Sequence, residues 1–142
     1  MPEMTVEEYK DFLSHGTRTA KLATVRKDGR PHVAPIWFVL DGDELIFTTG
    51  RNTVKGQAIL RDGRVSLCID DEELPFAFAL VEGTAAATED AEDLLSWATR
   101  IAARYMGEEQ AEDFGRRNAV EGELLVRVTP DKVVAESNVA GW

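Results

Sequence analysis

The sequence predicts one α+β domain: a mainly antiparallel, six-stranded barrel with flanking helices, occupying all of residues 1–142. Three observations carry that expectation. Short β-rich runs are separated by Asp-Gly turn signals, at Asp28-Gly29 and Asp41-Gly42. Capped helical segments sit between strand groups instead of alternating with every strand. The parallel βαβ rhythm is absent, as is a Gly-x-Gly-x-x-Gly after a strand, so a dinucleotide-binding fold is not indicated.

Taken in order, Thr5-Val6-Glu7-Glu8 fits a capping box, followed by Val6, Tyr9, Phe12 and Leu13 at helical spacing. This helix ends near His15-Gly16. Residues 19–26 read as a strand, residues 31–40 as a second and residues 44–49 as a third, joined by the two hairpin signals into a meander. Asn52 or Thr53 caps a helix that ends at Arg61-Asp62-Gly63. Residues 64–70 and 76–87 are further strands, the latter with Gly83 as a bulge or bend. Thr88 is expected to cap a long helix whose apolar face holds Leu94, Ala98, Ile101, Ala102 and Tyr105, with Gly107 as its stop. A short helix over 109–117 precedes the last strand or strands, over 123–128 and 132–136.

Composition excludes several classes. A formal net charge of −10 opposes non-specific binding to nucleic acid or anionic membranes. No apolar run approaches the roughly 20 residues of a membrane span. The amino end shows no basic start followed by an apolar stretch, and Cys68 is the single cysteine, so a reducing cytoplasm is the expected compartment. Charge is uneven, however: residues 17–64 hold nine Lys and Arg against five Asp and Glu. Such a basic island suits either a solvated face or a site for an anionic small molecule.

Catalytic side chains are poorly supplied. His15 and His32 lack the spacing of a metal pair, so no metal site is expected, and no side chain is singled out as catalytic. Cys68, between Leu67 and Ile69, reads as a packed thiol. The segment after the third strand is more informative. Thr48 and Thr49 offer hydroxyls, Arg51 and Lys55 offer cations, and the following helix start presents free N–H groups suited to phosphate. The same residues also fit an exposed basic turn. In Pro35-Ile36-Trp37, Pro35 cannot donate to a ladder and so marks an edge, a bulge or a contact with something else. Ile36 and Trp37 add apolar surface, although Trp37 alone also fits a core position.

Together these segments carry a resemblance. Asp28-Gly29-Arg30-Pro31-His32-Val33-Ala34-Pro35-Ile36-Trp37-Phe38, then Phe47-Thr48-Thr49-Gly50-Arg51, Lys55 and Gly63-Arg64-Val65-Ser66-Leu67, resemble the pyridoxamine 5′-phosphate oxidase-like superfamily of FMN-binding split β-barrels. Within it the chain looks like the small actinobacterial enzymes that use the deazaflavin coenzyme F420, the flavin/deazaflavin oxidoreductase B group. The resemblance implies a homodimer with cofactors lodged at the subunit interface. It implies that Thr48, Thr49, Arg51 and Lys55 hold the cofactor phosphate, with Gln57 and Ala58 alongside, and that the ring lies against Pro35, Ile36 and Trp37. Phe76 and Phe78 would come from the opposite subunit or line the substrate side, and Trp142 would cover the pocket. The activity implied is hydride transfer from reduced F420 to a conjugated, hydrophobic small-molecule acceptor such as a quinone, an enone or a tetrapyrrole. An FMN-dependent oxidoreductase of the same fold, or a non-catalytic flavin- or F420-binding protein, are the alternatives. The deazaflavin's phosphodiester and oligoglutamate tail make it more anionic than FMN, which suits the basic island. Neither nucleic acid nor membrane insertion is expected.

Overall fold

The capping box forms as the amino-terminal sequence requires: the Thr5 hydroxyl accepts from Glu8 N–H at 3.1 Å, and Glu8 Oε1 accepts from Thr5 N–H at 2.9 Å. It opens α1 (Val6–Ser14), whose Tyr9 and Leu13 turn inward. The computed structural model describes residues 3–142. After α1 come β1 (Ala20–Val25), β2 (Pro31–Ile36), β3 (Val39–Asp41), β4 (Glu44–Gly50), α2 (Val54–Arg61), β5 (Arg64–Asp71), β6 (Ala77–Thr88), α3 (Ala91–Met106), α4 (Ala111–Asn118) and β7 (Glu123–Glu136).

All strand pairings are antiparallel, in the order β2-β1-β5-β6-β7-β4-β3. The sheet therefore has seven strands instead of six, and its ladder does not close. The run 31–40, read from sequence as one strand of a meander, breaks at Trp37 and Phe38. Its first half pairs with β1 at one edge of the sheet, and its second half pairs with β4 at the other. The two edges are thus joined by covalent chain and not by hydrogen bonds, which is the split of a split barrel.

The crossing is held by side chains. Phe38 is fully buried, its N–H donates to the Tyr105 hydroxyl at 3.2 Å, and its carbonyl accepts from Arg104 Nη1 at 2.6 Å. Both backbone groups of a buried residue are satisfied without a ladder, so the break is stable. Pro35 lies in an edge strand, where its missing N–H costs no ladder bond.

One other boundary differs from the sequence expectation, and one that the sequence left open is decided. Asp90, not Thr88, caps α3, accepting from Glu92 and Asp93 N–H, because Thr88 is still paired with Leu125 in the ladder. The two final strands are one, β7. Pro130 is absorbed opposite the bulge at Gly83, where the register shifts between Glu82 and Gly83. A side chain at Gly83 would place its Cβ 2.6 Å from the Thr129 carbonyl, so this close approach needs glycine.

The interior holds Phe38, Phe47, Leu22, Leu67, Ile69, Val81, Leu124 and Val126. Outside it, Leu94 and Trp97 of α3 cover Ile46 and Leu125. β4 and β7 are consequently buried on both faces, which explains their nearly unbroken apolar runs. Among the described residues, no helix is long and apolar enough to cross a membrane.

Candidate functional site

The end of β2, the crossing, the middle of β4 and the first turn of α2 converge on one cleft of about 260 Å³. Five residues singled out from sequence line it: Pro35, Ile36, Trp37, Thr48 and Lys55. Four others come from distant segments: Ala98 and Ile101 of α3, Asn118 of α4 and Glu123 of β7. The α3 residues were legible only as an apolar helix face. Asn118 and Glu123 carried no local signal.

The cleft's wall is rigid. Trp37 stacks on Tyr105 with ring centroids 4.9 Å apart and planes within 5°. The Tyr105 hydroxyl donates to the Arg18 carbonyl at 2.7 Å, and burial raises its pKa above the usual phenol value. Arg104 donates to three carbonyls, of Gly16, Phe38 and Leu13, at 2.9, 2.6 and 2.7 Å. As β2 is an edge strand, one side of its backbone has no ladder partner beside the cleft.

The cradle is built from the β4–α2 turn. Thr53 is the N-cap of α2, accepting from Gly56 N–H at 3.0 Å while its hydroxyl donates to the Gly50 carbonyl at 2.8 Å. Thr49 is buried and its hydroxyl lies 3.1 Å from that of Thr53, so it braces the turn from inside. Thr48, one residue earlier, takes the opposite face and looks into the cleft. The turn is tight: a Cβ on Gly56 would fall 2.2 Å from the Gly50 carbonyl oxygen. Lys55 forms no ion pair among the described residues, leaving its ammonium available to an anion.

The remaining sequence-predicted residues lie elsewhere. Arg51 is engaged by Glu89, its Nε 3.2 Å from one carboxylate oxygen and Nη2 on the other. Gln57 donates to the Arg51 carbonyl at 2.7 Å and lines a neighbouring open groove with Arg26, Lys27, Asn52 and Arg61. Ala58 is buried on the inward face of α2. Phe76 and Phe78 line a different cleft with Asp70, Asp71, Glu72 and Val139. Phe76 has φ of +67°, a strained value for a residue with a side chain, held by its N–H on the Glu73 carbonyl and by Val139 N–H on its own carbonyl. Trp142 is 81% exposed at the end of a tail tied back to Pro75 and Phe76.

Glu123 sets the electrostatics of the cleft. Burial pushes its carboxyl above the ordinary value, while the Thr48 hydroxyl and the Lys55 ammonium oppose that rise. Cys68 is also pushed up, by burial and then by Asp70, and it lies outside this cleft.

The fold is that of the split-barrel class, a fold that binds flavins. A family profile described as pyridoxamine 5′-phosphate oxidase matches residues 5–134, and the chain belongs to that family. No curated protein sequence resembles it at a significant level. Among solved structures, it is similar to a conserved hypothetical protein from Mycobacterium tuberculosis, with 25% identity, a TM-score of 0.83, and 95% of this chain and 86% of that one covered. It is also similar to an F420 reductase, with 25% identity, a TM-score of 0.70 and coverage of 97% and 99%. The heme storage protein HutZ from Vibrio cholerae shares the fold at 19% identity, with a TM-score of 0.73 and coverage of 95% and 97%.

Proposed function

We propose that the protein is an F420-dependent reductase that passes a hydride from the reduced deazaflavin to a conjugated, hydrophobic small-molecule acceptor, of the quinone, enone or tetrapyrrole type. The observation that carries this reading is the single cleft in which the Pro35-Ile36-Trp37 edge meets Thr48 and Lys55. A planar heterocycle needs an apolar wall with free backbone groups, and its phosphate needs a cation with a hydroxyl donor; both are met there. The likeness to an F420 reductase over nearly the full length of both chains supports the deazaflavin.

When bound, the reduced cofactor supplies the electron pair and proton of a hydride, so the chain needs no nucleophile of its own. Lys55 and Thr48 would bind the phosphate, and Trp37, locked by Tyr105, would fix the ring plane. Ala98 and Ile101 would keep water from the apolar side. In the same reading a second copy covers the sheet face where Val33, Leu80 and Val134 border an apolar depression, forming the homodimer. Phe76 and Phe78, remote from the cleft within one chain, would then reach the cofactor from the partner. The compartment is the cytoplasm.

Titration of the purified protein with coenzyme F420 and with FMN tests the reading. Tight binding of F420, followed by single-turnover oxidation of the bound reduced form by a quinone or enone, is expected. A yellow protein that holds FMN and ignores F420 would replace it with an FMN-dependent oxidoreductase. Binding without turnover by any acceptor would leave a carrier instead of an enzyme.

A further inference from the structure

We infer that Glu123 is a specificity-determining residue, which makes the cleft take a singly charged phosphodiester in preference to a doubly charged phosphomonoester. The inference rests on the cofactor reading above and adds to it the residue that would choose between the two flavins.

The placement follows from register. Glu123 stands directly across the β4–β7 ladder from Gly50, on the face shared by Thr48. With no side chain on Gly50, the carboxyl lies over the strand, and a Cβ built at Gly50 would be 3.8 Å from Glu123 Oε2. The Glu123 backbone is fixed as well: its N–H donates to the Val120 carbonyl at 3.1 Å, and the preceding Gly122 carbonyl accepts from Arg51 N–H at 2.7 Å. The carboxyl is therefore built into the phosphate turn, beside Thr48 and Lys55, and not swung in from a free loop.

Charge balance then decides the ligand. Arg51 is matched by Glu89, which leaves Lys55 and Glu123 as the opposed charges of the cleft. A phosphodiester carries one negative charge, which Lys55 alone can meet. A phosphomonoester such as FMN carries about −1.5 to −2 at neutral pH, so its second charge would face the carboxylate with no cation to offset it. The deazaflavin is a phosphodiester and FMN a phosphomonoester, so the carboxyl discriminates on the phosphate and leaves the ring out of the comparison. Like-charge repulsion built against the wrong ligand is a general route to specificity.

The test uses the full-length protein and Glu123→Gln, with Glu123→Ala as a second variant. Each is titrated with FMN, with the methyl phosphodiester of FMN, and with coenzyme F420. The FMN pair shares one ring and differs in phosphate charge. Removing the carboxylate should tighten FMN relative to its methyl ester by about tenfold, the size of one extra charge–charge contact near a protein surface. If both variants, folded by circular dichroism, leave that ratio unchanged, Glu123 does not read phosphate charge. If wild type binds neither F420 nor FMN, the cofactor reading itself fails and takes this assignment with it. If F420 binds while FMN stays unbound even by Glu123→Gln and Glu123→Ala, the cofactor reading stands and the assignment falls.

Discussion

On one side of the cleft, the crossing at Trp37 and Phe38 has both backbone groups of Phe38 met: Arg104 and Tyr105 supply donors and an acceptor, and the Trp37 and Tyr105 rings lie face to face. On the other side, the cradle at Thr48, Lys55 and Glu123 holds two charges that enter no ion pair among the described residues. The wall spends its polar groups on holding two sheet edges together. The cradle keeps some of its own free, and unspent polarity at a rigid place is what a ligand needs. Substitutions on the two sides should therefore fail in different ways, the wall in stability and the cradle in binding.

The largest effect is expected at the wall. Arg104→Ala removes three charge-assisted donors and leaves the buried Phe38 carbonyl only the longer Tyr105 hydroxyl contact at 3.3 Å, and should cost about 3 kcal/mol of unfolding free energy in a denaturant titration. Lysine should not rescue it, because one ammonium cannot reproduce a planar fork aimed at three carbonyls. A variant that unfolds at the wild-type midpoint would mean that the split is held by something other than this clamp.

Lys55→Ala probes the other side. Cofactor affinity, measured by fluorescence titration, should weaken by about 1–3 kcal/mol from loss of one charge-assisted contact. Stability should stay within about 0.5 kcal/mol, since Lys55 forms no ion pair among the described residues and acts on Glu123 only through a weaker charge interaction. A large loss of stability with unchanged affinity would reverse the comparison. Tyr105→Phe returns to the wall with a smaller change. The stacked ring remains, but Phe38 N–H and the Arg18 carbonyl lose the hydroxyl, which should lower stability by about 1–2 kcal/mol. Equal stability of the two proteins would show that ring stacking alone orders the crossing.

Local grammar was enough for most of the wall's neighbours. Asp28-Gly29, Thr5-Glu8 and Gly107 each act within a few residues of themselves, and each appears where the sequence placed it. The break at Trp37 and Phe38 could not be read this way. Residues 31–40 are uniformly strand-like, and what divides them is Arg104 and Tyr105, more than 60 residues away. The cradle divides similarly. Thr48 and Lys55 belong to one short turn and were visible together. The acids of the turn, Glu89 on Arg51 and Glu123 beside Thr48 and Lys55, lie outside the basic stretch 17–64 and arrive only through the β6–α3 link and the ladder. An island of charge counted along the chain is therefore partly cancelled in space.

The smallest effect is the most direct reading of that cancellation. Burial raises the Glu123 carboxyl above its ordinary 4.5, against the pull of Thr48 and Lys55. As pH rises, the unfolded chain releases this proton first, while the folded protein still holds it. Over that window the folded state binds more protons, so stability falls with rising pH, and the penalty persists in full once the folded carboxyl has ionised. Glutamine cannot titrate. The stability of Glu123→Gln relative to wild type should therefore grow from pH 4 towards neutrality, roughly one window of a single carboxyl wide, and then level off. Matched denaturant titrations across that range would show it. A difference that shrinks with rising pH would mean that Lys55 and Thr48 outweigh burial, making the carboxylate a stabilising partner of the ammonium and leaving the cradle with no unmatched charge to offer.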